Sequence, residues 1–331
     1  MKKLNKTVLL AAVLASAANA NVNVSGDATI GFKYLTNTNT DANKDNLFVS
    51  EGNDENGNAH LVFSATQGGK SADGAYALIS FDFATSGATT LPIDQAYVGY
   101  KAKKFDIRMG QLDSLTYTWV GSANEHMYYA DNISVVPARD QQLADSVRAT
   151  TKLGSVTLGA FAQLPGSVSY DYAVYDLGAK FDIGKFGLAV THQEANDAIS
   201  TNSYEHRDTT SAGLNYALKN LSSAKLLKGL ELSATYASYS EQTTANSGRQ
   251  SEDSSYSIGL KMNNTSVLYQ TGINYDQDQW NIQHLRPLSA NTDFGITGQI
   301  SSKYYASASG STNSNETQGD EFVAVFMTTR F

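Results

Sequence analysis

Apolar and polar residues exchange places at every second position over most of this chain, and helical spacing is nearly absent. In the opening stretch Val22, Val24, Gly26, Ala28, Ile30, Phe32 and Tyr34 share one face, and Asn23, Ser25, Asp27, Thr29 and Lys33 share the other. Phe105, Ile107 and Met109 alternate in the same way with Asp106 and Arg108. So do Tyr175, Leu177, Ala179 and Phe181 with Asp176 and Lys180. Each such segment is a strand with one apolar and one wet face. The pattern predicts sixteen strands: 21–34, 59–67, 75–84, 93–101, 104–111, 145–152, 155–163, 171–182, 185–192, 207–217, 229–240, 253–262, 266–275, 279–285, 291–303 and 320–331.

The connections alternate as well. Long segments such as 35–58, 112–144, 193–206 and 304–319 take turns with joints as short as Ala102-Lys103, Leu153-Gly154 and Ile183-Gly184. Long loops at one end and tight turns at the other are what a transmembrane barrel shows. A soluble sandwich also alternates, toward a shared core, but has no reason to segregate its loops. The wet face carries charges in strand after strand (Asp27, Lys33, Asp82, Arg108, Arg148, Lys152, Asp176, Lys180), as a water-filled lumen would. Tyr34, Tyr100, Tyr172, Tyr239 and Tyr275 stand near strand ends, where interfacial girdles belong. An open sheet edge cannot be left unpaired in lipid, so the set must close. The expected fold is an all-β, antiparallel transmembrane barrel of sixteen strands, with a long loop between strands 5 and 6.

Composition narrows this further. The longest apolar run after residue 20 is Phe322 to Met327, far short of the ~20 residues of a spanning helix. With no cysteine the chain can form neither disulfides nor thiolate metal sites, and a net charge of −8 argues against nucleic-acid binding. Lys2, Lys3 and Lys6, the apolar stretch Val8 to Ala18, and Ala18-Asn19-Ala20 together read as a secretory signal peptide over 1–20, leaving a mature barrel domain over 21–331. Loss of three lysines takes the charge from −8 to −8 − 3 = −11.

The last strand carries Val323, Val325, Met327, Thr329 and Phe331 on one face. The stretch Val323-Ala324-Val325-Phe326-Met327-Thr328-Thr329-Arg330-Phe331 resembles the terminal strand of the Gram-negative general porins, although Thr329 stands where that family prefers an aromatic residue. Asp94-Gln95-Ala96-Tyr97-Val98-Gly99-Tyr100-Lys101, followed by Phe105-Asp106-Ile107-Arg108-Met109-Gly110-Gln111, looks like the family's fourth and fifth strands. Asp145-Ser146-Val147-Arg148-Ala149-Thr150 is similar to its sixth. The resemblance implies a homotrimer of barrels in the outer membrane of a Gram-negative bacterium, among lipid and lipopolysaccharide. It also implies that Phe331 is the signal read by the outer-membrane barrel-assembly machinery.

Loop 112–144 is too long to be an ordinary connection and too apolar to be a solvated tail, with Leu115, Tyr117, Trp119, Val120, Met127 and Tyr128 among its residues. It packs against something, either inside the barrel or as an external lid over its mouth or against a neighbour. In the porins the loop at this position folds inward and constricts the pore. Such an eyelet sets acidic groups against basic ones across the path of hydrated solutes. The loop offers Asp113, Glu125, Asp131 and Asp140, and the wall offers Lys33, Arg108, Arg148 and Lys152.

Catalysis finds little support. His60, His126, His192, His206 and His284 lack metal-ligand spacing, and no nucleophile motif accompanies them. Asp41 to Asp45 starts like a calcium loop but lacks its glycine and glutamate, Asn46 and Gly52 standing in those places. No cofactor is expected. The expected function is passive diffusion of small hydrophilic solutes and ions; the alternatives are a substrate-specific porin and a non-channel barrel serving as adhesin or structural protein.

Overall fold

The computed structural model describes residues 21–35, 47–49, 58–66, 73–84, 93–121, 143–164, 173–184, 186–200, 203–217, 229–243, 250–271, 278–301, 303–306, 315–318 and 321–331. Sixteen strands form the wall: β1 (Asn21–Leu35), β2 (Asn58–Thr66), β3 (Gly74–Ala84), β4 (Ile93–Lys101), β5 (Phe105–Leu112), β6 (Leu143–Leu153), β7 (Val156–Gln163), β8 (Ala173–Ile183), β9 (Phe186–Ser200), β10 (Ser203–Ala217), β11 (Leu230–Thr243), β12 (Gln250–Met262), β13 (Thr265–Thr271), β14 (Asp278–Pro287), β15 (Thr292–Ser301) and β16 (Phe322–Arg330). Each pairs antiparallel with its sequence neighbours. Short segments at Leu47–Val49 and at Lys303–Ala306 with Asn315–Gln318 add ladders at the loop end.

The sheet closes on itself. The first half of β1 pairs with β2, from Asn21↔Thr66 to Ala28↔Ala59, and its second half pairs with β16, from Asp27↔Arg330 to Leu35↔Phe322. One strand divided between two neighbours along its length is the stagger that a tilted, closed barrel requires. At the seam the Gly26 and Phe331 backbones exchange two hydrogen bonds of 3.0 Å. The Phe331 ring lies against Gly26, in space that a Cβ there would occupy. Tight turns match the expectation, with Gly154 (φ +67°) and Gly184 (φ +64°) in the left-handed region where glycine carries no steric penalty.

Burial is inverted relative to a soluble protein. Ile30, Leu177 and Ile300 are more than 60% exposed, whereas Gln279, Asn281 and Gln283 are 1% exposed. The exposed apolar faces point to lipid and the polar faces point inward. Asp27, Arg108, Arg148, Lys152, Asp176 and Lys180 all stand at inward positions of their strands; the side chains of Lys33 and Asp82 lie outside the described residues. Tyr34, Tyr100 and Tyr175 stand on the outer face as girdle residues. Tyr239 does not: it is buried on the inward face of β11, and its neighbour Tyr236 takes the outer position. Tyr172 and Tyr275 lie outside the described residues.

One connection differs from expectation. Segment 193–206 reads as a loop, yet β9 runs to Ser200 and β10 starts at Ser203, with pairing maintained to Ser200↔Ser203. The cause is the outer face, where Val190 gives way to exposed His192 and Glu194. Apolar alternation ends where hydrocarbon ends, while backbone pairing continues above the membrane. The segment 304–319, one of the long connections, contains part of the two-stranded ladder noted above.

Candidate functional site

The connection between β5 and β6 begins inside the barrel. Helix α1 (Leu115–Trp119) follows directly on β5, with Ser114 as its N-cap accepting the Tyr117 N–H at 3.0 Å. A serine cap satisfies one of the donors that a helix start leaves open. The helix packs on the inward faces of β7, β8 and β9. Room for it comes from small residues: a Cβ at Gly159 would stand 2.6 Å from the Trp119 ring, and one at Gly178 would stand 2.9 Å from it. Leu112 and Leu115 are fully buried in a cluster with Leu143, Phe161, Val174 and Tyr97, and Trp119 packs against that cluster. Val120 fills a second cluster with Ala189 and Ala237. The apolar character of this stretch is thereby spent on wall contacts.

Between α1 and the wall lies a cavity of about 370 Å³ lined by Asp106, Arg108, Thr118, Trp119, Arg148, Thr150, Thr157, Lys180 and Asp182. Arg108 and Arg148 are direct cross-strand partners on β5 and β6. Two like charges side by side need compensation. For Arg108 it comes from Asp106, two residues along the same face, with Nη2 donating at 2.8 Å and Nε at 3.1 Å to one carboxylate oxygen. The Arg108 guanidinium also lies over the rings of Tyr97 (5.3 Å) and Tyr76 (5.7 Å), a cation–π arrangement. Tyr76 in turn donates to Asp106. Arg148 is 9% exposed, and its Nη1 donates to the Asp113 carbonyl (3.3 Å) and the Thr118 hydroxyl (3.4 Å). Lys180 and Asp182 form a looser pair at 3.8 Å.

Of the site residues expected from sequence, Arg108, Arg148 and Asp113 come together here. Asp113 is buried and its carboxylate accepts Gln95 Nε2 at 2.5 Å. Lys152 is exposed farther along β6 and does not border the cavity. Lys33 is placed by its backbone alone, opposite Ala324 on β16. Glu125, Asp131 and Asp140 lie outside the described residues. Sequence reasoning missed Tyr76, Tyr97, Gln95 and Asp106 as site residues. Asp106 was readable from its i, i+2 spacing to Arg108 on one face of a strand. The Tyr76 contact was not, because β3 and β5 are separated by β4. Among the described residues no three His, Asp or Glu side chains are grouped to hold a metal ion.

A closed antiparallel barrel with an apolar outside, a polar inside and a charged cavity beside a helix packed on its inner wall is a bacterial outer-membrane barrel. Residues 7–226 match the family described as Gram-negative porin, and the chain belongs to that family. Solved structures with the same fold include an anion-selective porin from Comamonas acidovorans, with a TM-score of 0.72 and 14% identity over 94% of this chain and 100% of that one. Another is the trimer form of in-vitro folded OmpT, an outer membrane protein of Vibrio cholerae, with a TM-score of 0.71, 10% identity and coverage of 94% and 99%. A third is Salmonella typhi OmpF in complex with daunomycin, with a TM-score of 0.66, 10% identity and coverage of 95% and 98%. No curated protein matches the chain.

Proposed function

We propose that this porin is a passive diffusion channel for small hydrophilic solutes and ions, narrowed where loop 112–144 enters the barrel. The observation that carries this reading is the cavity between α1 and the wall, with charges from β5, β6 and β8 converging on it. Solutes passing there exchange part of their hydration for Arg148, Thr150, Thr157 and Lys180, under a field set by fixed charges. Arg108 and Arg148 form the basic side. Asp113, Glu125, Asp131 and Asp140 are the acidic side that the loop brings, with Lys33 and Lys152 as further wall cations. Gradient drives transport, with no cofactor and no energy coupling. The working unit is a homotrimer inserted by the barrel-assembly machinery reading Phe331, after removal of residues 1–20; the trimer form of the Vibrio cholerae protein supports that assembly.

The test is single-channel recording of the purified, refolded protein in a planar bilayer, with reversal potential under a salt gradient. Current steps in groups of three with a mild ion preference are expected. A silent membrane from folded, β-rich protein would overturn the channel reading in favour of an adhesin or structural barrel.

A further inference from the structure

The inward face of β8 holds one buried carboxylate that the cavity does not use. Asp176 is 1% exposed and lies beyond the cavity lining. Its oxygens accept the Thr116 N–H at 2.6 Å and the Thr116 hydroxyl at 3.0 Å. The Leu115 N–H and the Gln193 side chain bond to it as well. Leu115 and Thr116 are the first two residues of α1, and the third N–H, of Tyr117, is taken by Ser114. A helix start leaves its first N–H groups without intrahelical partners. Here all three go to acceptors, and two of them go to a side chain of the wall rather than of the helix. Charge-assisted bonds of this kind are short and directional.

The wall around Asp176 is shaped for the same occupant. Gly178 is the next inward position along β8, and Gly159 of β7 is its cross-strand partner. The two glycines leave a notch that the Trp119 ring fills, with no room for a Cβ at either place. Clamp and notch therefore sit side by side on two adjacent strands, one holding the first turn of α1 and the other its last residue. On the opposite side of the helix Arg148 reaches Asp113 and Thr118 across the cavity. The width of that cavity is set by where α1 stands between these two attachments.

We infer that Asp176 is the positioning residue of the pore: it fixes α1 against the β7–β8 notch and so sets the cross-section at the narrowing. This rests on the channel reading above. Burying a carboxylate is unfavourable unless donors surround it, and an isosteric amide can accept at only one of its two terminal atoms. Replacing Asp176 by Asn turns one of its two acceptors into a donor; the Thr116 hydroxyl can turn to accept from it, but the Leu115 and Thr116 N–H groups cannot. The helix start is then released while the Trp119 notch is unchanged.

The experiment compares wild type, Asp176→Asn, Asp176→Glu and Thr116→Val as refolded, heat-modifiable barrels in planar bilayers. The narrowing is sized by the largest polyethylene glycol that still lowers conductance. For Asp176→Asn the cut-off is expected to move to larger polymers and the step amplitudes to broaden. Thr116→Val, which removes one bond of the clamp, moves both in the same direction by less. Asp176→Glu, which keeps an acceptor-only head, stays nearer wild type than Asp176→Asn. Should Asp176→Asn fail to fold, Thr116→Val decides the matter alone. A folded variant with the wild-type cut-off and amplitude spread would overturn the inference while leaving the channel reading intact. A silent wild type would instead overturn both.

Discussion

Replacing Arg148 by methionine removes a charge at the narrowing while keeping most of the side chain's length. The guanidinium borders the cavity with Thr150 and Thr157, and its bonds go to a carbonyl and a hydroxyl, so its charge is not cancelled by a direct carboxylate partner among the described residues. For an ion at about 5 Å in water, one unit charge is worth about 0.8 kcal/mol. With a Debye length of ~10 Å at 0.1 M salt, about 0.5 kcal/mol of that survives. An anion loses this attraction and a cation loses the matching repulsion, each a factor of about 2.3, so the anion-to-cation permeability ratio falls about fivefold. Reversal potential in a potassium chloride gradient reads the ratio, and the effect shrinks as the bath salt is raised. Arg148→Lys separates charge from geometry: it keeps the cation, loses the fork, and is expected to hold the ratio. An unchanged ratio in a folded, conducting Arg148→Met barrel would refute the placement of Arg148 in the conduction path.

Three further outcomes follow from the same geometry. Gly159→Val places carbon atoms within 2.6 Å of Trp119 and 2.8 Å of Leu115. Ordinary contact needs about 3.5–4.0 Å, so α1 is pushed about 1 Å off the β7–β8 wall, the same displacement that release of the Asp176 clamp permits, and the polymer cut-off moves in the same direction. Leu177→Arg puts a charge on a lipid-facing position that is 63% exposed, at a cost of about 2–4 kcal/mol if it lies at mid-membrane. Denaturant unfolding from lipid bilayers measures this, and Lys180→Ala on the inward face of the same strand is expected to cost far less. Removal of Phe331 deletes both backbone bonds to Gly26 at the seam, and is expected to slow the appearance of the heat-modifiable folded band in a refolding time course.

The strand set was legible because lipid enforces a strict rule. Every outward side chain must be apolar across the hydrocarbon, so period-two alternation marks each strand wherever it crosses. That same rule explains the misplaced end of β9. Beyond Val190 the outer positions His192 and Glu194 face no lipid, and the alternation vanishes although the hydrogen-bonded ladder goes on to Ser200. Tyr239 failed for a related reason: tyrosine suits both a membrane interface and a polar interior, and only the parity set by Leu232, Ala234 and Tyr236 decides between them. At the site, charges on a strand could be assigned to the lumen one strand at a time. What could not be read was which of them meet, because Arg108 reaches Tyr76 past an intervening strand and Trp119 of α1 reaches Gly159 and Gly178 on β7 and β8. Asp176 was visible as one more charge on a wet face. Its partner Thr116 carries no sequence signal of its own.

Net charge and local charge point in opposite directions in this chain. The whole sequence is acidic at −8, and that balance suggests a preference for cations. Among the described residues the charges that border the cavity are three cations, Arg108, Arg148 and Lys180, against two carboxylates, Asp106 and Asp182. Across the lumen the buried inward side chains of β9 to β14 are hydroxyls, carboxamides and small or apolar residues, Thr191, Gln193, Ser211, Ser257 and Gln279 among them. Among the buried described side chains of that half none is charged, and the half-buried inward Glu231 and Lys261 stand opposite each other on β11 and β12. Potential within a narrow passage is dominated by groups inside a Debye length, about 10 Å at 0.1 M, and acidic residues on the distant exterior are screened. The expected reversal potential therefore follows the cavity and not the chain, favouring anions mildly and doing so through Arg148, because Arg108 and Lys180 each stand beside a carboxylate.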